Sequence, residues 1–242
     1  PPQGTFQQVS AGGGHACAVR SNGELACWGR DDYGQATAPL GFFSQVSTGD
    51  AFTCAMRDGG SITCWGINTD GQLTAPADMF IQVSSGGAHA CGLRFDGTLA
   101  CWGRNTYGEA TPPAGTFTSV AAGNNHTCGV QTNGSVACWG LNEDGQSTPL
   151  AGYYSHVSAG GRHTCGLQTN GTLLCWGNND EEQATPPEGQ FTAVSAGYEY
   201  TCALQADGKL ACWGEDDADQ TRPPMGSYRQ RRVSSGYSHS CG

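Results

Sequence analysis

The sequence SHVSAGGRHTCGLQTNGTLLCWGNNDEEQATPPEGQF, residues 155–191, contains one copy of a pattern that recurs along the whole chain. The tripeptide Cys-Trp-Gly occurs six times at intervals of 37 residues, and another cysteine stands ten positions before each copy. Self-similarity at a fixed period of about 20–50 residues is the signature of a repeat architecture. We therefore expect a chain built from copies of one small unit.

Short strands are predicted within this stretch at residues 156–159, 163–168 and 172–176, with a brief edge strand at 183–185 before two prolines. Proline has no amide donor and belongs at an edge or a connection. Four short strands per unit are typical of a β-propeller blade. The predicted fold is an all-β propeller of four-stranded blades in one domain, residues 1–242. Six full repeats cover about 5–228, and a partial seventh covers 229–242.

The cysteine spacing sets the register of the middle hairpin. If Cys165 lies opposite Cys175, the two strands are joined by the three-residue loop 169–171. Such a loop ends in a left-handed residue, where glycine has no steric penalty. A two-residue turn would shift the register by one and put the cysteines on opposite faces. We predict six hairpin disulfides: Cys17–Cys27, Cys54–Cys64, Cys91–Cys101, Cys128–Cys138, Cys165–Cys175 and Cys202–Cys212.

Regularly paired cysteines favour disulfides and an oxidising compartment, so a secreted or cell-surface location is expected. Zinc is the alternative, but metal clusters usually contain a Cys-x-x-Cys knuckle, which this chain lacks. Asn125, Asn133 and Asn170 fit the glycosylation sequon.

The net charge of −10 matches neither phosphate backbones nor anionic membranes, so no nucleic-acid partner is expected. No apolar run approaches the length of a membrane span, so no membrane insertion is expected. No cofactor or metal is expected either.

The recurring tryptophans and histidines are interpreted as structural. Each tryptophan follows a hairpin cysteine and is expected to pack between blades, although a ladder of tryptophans could also stack sugars. The histidines stand two residues before a cysteine, and Phe52 and Tyr200 take that slot in two copies. Phenylalanine or tyrosine can fill the space of a histidine but cannot perform the acid–base chemistry of an imidazole. We therefore expect these positions not to be catalytic and the protein not to be an enzyme. The histidines concerned are His15, His89, His126, His163 and His239.

These repeats resemble those of the regulator of chromosome condensation family. The resemblance implies a β-propeller, usually of seven blades, with functions that include nucleotide exchange, chromatin docking, ubiquitin-ligase accessory roles and, in secreted bacterial members, β-lactamase inhibition. The paired cysteines, short repeats and acidic surface depart from the nuclear members. The motifs that carry the resemblance are Gly123, His126-Thr127, Asn133-Gly134, Trp139-Gly140-Leu141-Asn142 and Gly145-Gln146.

The last repeat begins at Val233 and reaches Cys241, which lacks a hairpin partner. The polypeptide is expected to continue past Gly242. Alternatively, six blades close and leave a tail, or Cys241 bonds another chain. The segment Arg229-Gln230-Arg231-Arg232 is expected to hold two extra residues and to be either a processing site or a solvated cluster.

In a four-stranded meander, the first and third turns of every blade lie on one face. The first turns vary most between copies, and Arg162, Tyr198, Glu199 and Tyr237 are the candidate partner-binding residues. The third turns hold 13 of the 21 acidic residues, so this face is expected to be negative. Such a face could steer a cationic protein, hold Ca²⁺ or serve as a solvated rim. The acidic residues are Asp31, Asp32, Asp70, Glu109, Glu143, Asp144, Asp180, Glu181, Glu182, Glu215, Asp216, Asp217 and Asp219.

The predicted function is that of a non-enzymatic extracellular binding module. Its partner would be a protein or glycan, with a cationic partner among the candidates, recognised through the variable loops of one propeller face. One alternative is a structural repeat unit of a longer surface protein or fibre, with self-association through Cys241. Another is a secreted enzyme inhibitor that resembles the β-lactamase-inhibiting propellers of the family.

Overall fold

The computed structural model describes residues 2–223 and 233–241, which form β-strands and connecting turns. The segment Arg229–Arg232 lies outside these residues. The strands are β1 (Phe6–Ala11), β2 (His15–Arg20), β3 (Leu25–Gly29), β4 (Phe43–Thr48), β5 (Phe52–Arg57), β6 (Ile62–Gly66), β7 (Phe80–Ser85), β8 (His89–Arg94), β9 (Leu99–Gly103), β10 (Phe117–Ala122), β11 (His126–Gln131), β12 (Val136–Gly140), β13 (Tyr154–Ala159), β14 (His163–Gln168), β15 (Leu173–Gly177), β16 (Phe191–Ala196), β17 (Tyr200–Gln205), β18 (Leu210–Gly214), β19 (Ser234–Ser235) and β20 (Ser240–Cys241). Over the described ranges, no helix is long and apolar enough to cross a membrane.

The strands form antiparallel sheets that follow chain order, from β1-β2-β3 to β16-β17-β18, with a two-stranded sheet β19-β20. The all-β fold is confirmed, but the fourth strand predicted at 183–185 is not formed. The side chain of Asn179 accepts the amide of Ala184 and binds the hydroxyl of Thr185, which holds this segment in its own turn. Two prolines follow, and they supply no amide hydrogen to a ladder.

The middle hairpin has the predicted register. Disulfides join the six predicted pairs, whose Cα atoms lie 4.0–4.1 Å apart. The loop glycine of every hairpin has a φ between 83° and 90°, a region that favours glycine over residues with a Cβ. These loop glycines are Gly23, Gly60, Gly97, Gly134, Gly171 and Gly208.

The first strand of each sheet faces a central channel. The series β1, β4, β7, β10, β13 and β16 runs in order around it, and β19 contacts both β16 and β1. The two-stranded sheet therefore takes a seventh position between the sixth blade and the first.

A circle of glycines fixes this close spacing at the end of the first strands. A Cβ on any of them would lie 2.2–2.8 Å from the carbonyl oxygen of the next glycine in the circle. Backbone approaches this short exclude every other residue type, so glycine recurs for contact between blades rather than for turn geometry. The circle consists of Gly12, Gly49, Gly86, Gly123, Gly160, Gly197 and Gly236.

Neighbouring blades are joined by one carbonyl group at the end of each third turn. For Gln35, this carbonyl accepts the Trp65 indole at 3.0 Å and the Thr53 hydroxyl at 2.9 Å, both from the next blade. The prediction that tryptophan packs between blades is thereby confirmed for five of the six, and it stays a prediction for Trp28. The equivalent indole bonds, at 2.9–3.0 Å, are Trp102 to Gln72, Trp139 to Glu109, Trp176 to Gln146 and Trp213 to Gln183.

Candidate functional site

The first and third turns lie together, as the meander predicts. The residue that opens each third turn donates its amide to the carbonyl of the last first-turn residue, at 2.8–3.0 Å. We call this side of the molecule the first-turn face. The bonded pairs are Arg30 with Gly14, Ile67 with Ala51, Arg104 with Ala88, Leu141 with Asn125, Asn178 with Arg162 and Glu215 with Glu199.

A funnel of about 260 Å³ opens at the centre of the first-turn face. Its wall consists of the circle of glycines and the residues that follow them, including Asp50, Asn124, Tyr198 and Tyr237. Backbone hydrogen bonds join successive first turns, such as Gly87 to Gly123 at 3.1 Å and Tyr237 to Gly12 at 3.2 Å. The wall is therefore formed largely by hydrogen-bonded backbone, and side chains project from only a few blades.

Two predicted partner-binding residues meet at this funnel. The rings of Tyr198 and Tyr237 stack with their centroids 3.9 Å apart and their planes 22° apart. Burial, the hydroxyl of Tyr198 and the charges of Glu199 and Asp50 together raise the pKa of Tyr237 to about 12. Tyr237 remains neutral at physiological pH, and 46% of it is exposed. The pair is thus an aromatic platform in negatively charged surroundings.

Arg162 lies in the neighbouring first turn, where Gly161 bonds the carbonyl of Tyr198 at 3.1 Å. Its guanidinium lies 2.6 Å from a carboxylate oxygen of Asp144 and 3.4 Å from one of Glu143. The closer contact is an ion pair whose N–H is not aimed at the oxygen, since neither atom makes a hydrogen bond. The charge of Arg162 is therefore already matched by the third turn of the preceding blade.

Most third-turn carboxylates are exposed and contribute to a negative surface. Some also have a local structural role, because Asp31 accepts the amide of Ala36 and Asp216 accepts that of Thr221. Hydrogen bonds from Thr37 and Thr221, respectively, lower the pKa values of these two carboxyls.

Glu109 is not part of this surface, so its assignment to the acidic face was wrong. It is completely buried, and it pairs with Arg104 at 3.0 Å and accepts the amide of Tyr107 at 2.7 Å. Other blades place a buried glutamine in this slot, where its side-chain oxygen accepts the same turn amide. Glu109 is therefore a charged substitute for that glutamine, and the third-turn motif alone does not reveal its burial.

Four of the five recurring histidines join blades, in agreement with their structural interpretation. His126 Nε2 lies 2.8 Å from the hydroxyl of Thr164, and that hydroxyl donates to the carbonyl of Gln146. A hydroxyl has one hydrogen, so the imidazole must donate through Nε2 and leave Nδ1 bare. Burial lowers the pKa to about 4 for His15 and to about 3 for three others. Equivalent bonds join His15 to Thr53, His89 to Thr127 and His163 to Thr201.

The remaining predicted sites are dispersed. Asn133 and Asn170 are exposed at hairpin tips on the opposite face, whereas Asn125 is half-buried and accepts a hydrogen bond from Arg104. Their glycosylation stays a prediction. Cys241 is a free, partly buried cysteine, and burial raises the pKa of its thiol.

Exposed apolar side chains that no sequence pattern marked lie on the opposite face, which we call the second-turn face. Phe95 belongs to a second turn, while Phe42 and Tyr153 flank the turn glycines Gly23 and Gly134. They are 61–74% exposed. Their places in loops carry no hydrophobic periodicity that could have marked them.

Groups of three or more histidine, cysteine, aspartate or glutamate side chains placed to hold a metal ion do not occur within residues 2–223 and 233–241. The Ca²⁺ hypothesis for the acidic turns therefore gains no support from their geometry.

The chain resembles solved β-propellers over most of its length. The ectodomain of the Physcomitrella patens receptor kinase CR4 shares 30% identity and a TM-score of 0.77, covering 88% of this chain and 63% of that one. The CRINKLY WD40 ectodomain of the Arabidopsis thaliana receptor kinase ACR4 shares 25% identity and a TM-score of 0.80, covering 99% and 93%. Prp20p from Saccharomyces cerevisiae, at 16% identity and a TM-score of 0.82 over 96% and 81%, shares the fold. No curated protein matches the chain significantly.

The profile of the regulator of chromosome condensation (RCC1) repeat matches residues 6–35, 43–72, 80–109, 117–146, 154–183 and 191–220. Each match spans 30 residues, from the first strand to the buried glutamine or glutamate that ends the third turn. These matches cover well over half of the sequence, and they agree with the resemblance that the motifs indicated. The chain belongs to the RCC1 repeat family.

Proposed function

We propose that this protein is a non-enzymatic extracellular binding module, a single propeller domain that recognises a cationic segment of a partner protein through the first-turn face. The observation that carries the proposal is the stacked pair of half-buried Tyr198 and exposed Tyr237 at the funnel, near Glu199 and Asp50.

The chemistry of this pair favours a cationic ligand. Tyrosine rings attract an ammonium or guanidinium group over their faces, a contact that contributes about 0.5–2 kcal/mol depending on desolvation. The surrounding carboxylates add long-range attraction for the same ligand. Because Arg162 is already paired with acids of its own chain, it offers little competing positive charge.

The backbone conformation of two acidic residues is a second argument for a negatively charged binding face. Glu182 and Asp219 have φ angles of 62° and 58°. The equivalent positions in four other blades are glycines at φ 76–85°. Most residues with a Cβ are unfavourable in the left-handed region, by roughly 1–2 kcal/mol, and aspartate is tolerated there better than glutamate. Acidic residues are present there at a cost to stability, as expected if their negative charge contributes to binding.

An extracellular location is supported by two observations. Six disulfides staple the hairpins, and such bonds persist in oxidising compartments. Two of the similar solved structures are ectodomains of plant receptor kinases.

The test is peptide selection followed by variants of each face. A phage library of random 12-residue peptides is panned on the immobilised protein, and affinities of recovered peptides are measured by biolayer interferometry. We expect Lys- or Arg-rich peptides whose affinity falls at least tenfold in the variant Y198A/Y237A and falls as salt rises. The matched control is Tyr153→Ala, which removes an exposed tyrosine from the second-turn face.

Retained affinity in Y198A/Y237A, or affinity lost only in Tyr153→Ala, would assign recognition to the other face and overturn the proposal. Selection of neutral or acidic peptides would likewise exclude a cationic partner.

Self-association through Cys241 is a second candidate, favoured by one observation: this cysteine has no disulfide partner. Native mass spectrometry with and without reductant tests it. A reducible dimer or polymer that disappears in Cys241→Ser supports a structural or fibre role, whereas a monomer under both conditions removes it.

A further inference from the structure

A ladder of glutamines joins the first strands in one half of the central channel. The amide group of Gln8 donates to the carbonyl of Val46 and accepts the Val46 amide, both at 2.9 Å. Gln45 makes the same pair of bonds with Val83, at 3.2 and 3.0 Å. Gln82 makes it with Val120, at 2.9 and 3.1 Å.

The ladder stops in the next three blades. Register places Ser119, His156 and Ala193 at the position of Gln8, each one residue before the valine of its own first strand. Serine and alanine are too short to reach the next blade, and an imidazole does not present the coplanar amide donor and acceptor of glutamine.

The positions of Ser119 and His156 consequently leave two backbone edges open, in the fifth and sixth blades. Among the described residues, the amide and carbonyl of Val157 and of Val194 have no partner of the kind that glutamine supplies to Val46, Val83 and Val120. The hydroxyl of Ser119 is also buried without a hydrogen-bond partner. Buried polar groups are normally satisfied, so an unpaired set of this kind needs an explanation.

Space exists beside these groups. Val157 and Val194 line a channel cavity of about 700 Å³, together with His156, Ser155 and Thr192. The side chain of His156 is exposed to this cavity. The surrounding protein desolvates the imidazole, and this desolvation lowers its pKa. The part of the cavity wall that the described residues form is therefore polar and uncharged at neutral pH.

We propose that this half of the channel binds small molecules that carry a primary carboxamide group. The ligand amide would donate to the carbonyl of Val157 or Val194 and accept the amide of the same residue. The chain itself shows this recognition three times, with the side chains of Gln8, Gln45 and Gln82 in the ligand's place. A carboxylate or a dialkylamide lacks the N–H donor and fails to satisfy the carbonyl.

The probes are propanamide and N,N-dimethylpropanamide, which are both neutral and differ in the N–H donors. Each is added at millimolar concentration to ¹⁵N-labelled protein with assigned backbone resonances. We expect saturable shift changes at the amides of Val157 and Val194 with propanamide and none at these positions with the dimethyl compound.

Two variants make the site assignment specific. The double variant S119Q/H156Q supplies the missing glutamines to both edges, so it is expected to abolish the propanamide response and to raise Tm by several degrees. The variant Gln82→Ser opens the edge of Val120, where a third responsive amide is expected. Circular dichroism shows whether each variant keeps the fold.

The proposal fails if propanamide shifts neither amide, if the dimethyl compound shifts them equally, or if S119Q/H156Q responds as the parent does. A folded Gln82→Ser variant without a response at Val120 would also contradict it.

Discussion

At the scale of single residues, the circle of glycines is defined by contact rather than by conformation. A Cβ at Gly12 would lie 2.3 Å from the carbonyl oxygen of Gly49, whereas one at Gly14 would meet only the flexible side chain of Arg30, at 3.3 Å. The two positions lie in the same turn, so they separate steric exclusion from general sensitivity of the loop.

We predict that Gly12→Ala destabilises the protein by about 2 kcal/mol or more, because neighbouring backbones must separate. Gly14→Ala should change stability by less than about 0.5 kcal/mol. Urea unfolding of both variants measures the difference, and equal effects would contradict contact between blades as the reason for glycine.

The buried carboxylate of Glu109 is paired with the guanidinium of Arg104. Arg104→Ala removes its ion-pair partner and should cost about 3 kcal/mol, because an uncompensated charge stays buried. The double variant R104L/E109Q copies the Leu141 and Gln146 of the next blade and should unfold near the parent. A double-mutant cycle of R104L, E109Q and R104L/E109Q, followed by urea unfolding, measures the coupling, and additive costs would exclude a coupling between the two side chains.

At the scale of the element, each hairpin is closed by a disulfide between two strands that follow one another in sequence. Reduced hairpins would depend on a blade core that contains few large aliphatic residues, such as Leu93, Leu99 and Val120 in the cluster around Cys91. The disulfide restricts the conformational freedom of the unfolded chain. In the chain-entropy description, this restriction raises the free energy of unfolding by about 2–3 kcal/mol for a loop of this length.

We therefore predict that C91A/C101A lowers the free energy of unfolding by about 2–3 kcal/mol. Cys241→Ala is the matched control because it removes a sulfur that forms no disulfide, and it should change stability by less than about 0.5 kcal/mol. Denaturant midpoints give both values. A larger loss in the control would show that Cys241 has a structural role not visible in its contacts.

At the scale of the whole molecule, the buried neutral histidines make the stability of the propeller depend on pH. Their pKa values fall from 6.5 to about 3–4 on folding because of burial. Between these values the unfolded chain binds more protons than the native protein, so stability decreases as pH falls below about 6.5. Each histidine contributes up to about 1.4 kcal/mol per pH unit in this range.

We predict a clear decrease in the free energy of unfolding from pH 7 to pH 5, measured by urea titration at several pH values. The variant H126F/T164A copies the Phe52 and Ala90 that pack together between two blades. It removes one titrating group, so it should reduce the slope of the free energy of unfolding against pH by up to about 1.4 kcal/mol per pH unit. A flat profile, or an unchanged slope in the variant, would show that the buried imidazoles are not the titrating groups.

Sequence alone determined the repeat, the hairpin register, the disulfide pairs and the common face of the first and third turns. These features depend on residues close in sequence, such as Cys165 and Cys175, so periodicity and turn chemistry suffice to predict them. The stacking of Tyr198 on Tyr237, the burial of Glu109 and the broken glutamine ladder were decided only by the tertiary structure. They arise from contacts between neighbouring blades, where side chains about 38 residues apart meet, as in the bond of Gln8 to Val46. No local pattern carries those distances, because each of these contacts depends on residues that an adjoining blade or turn brings into place.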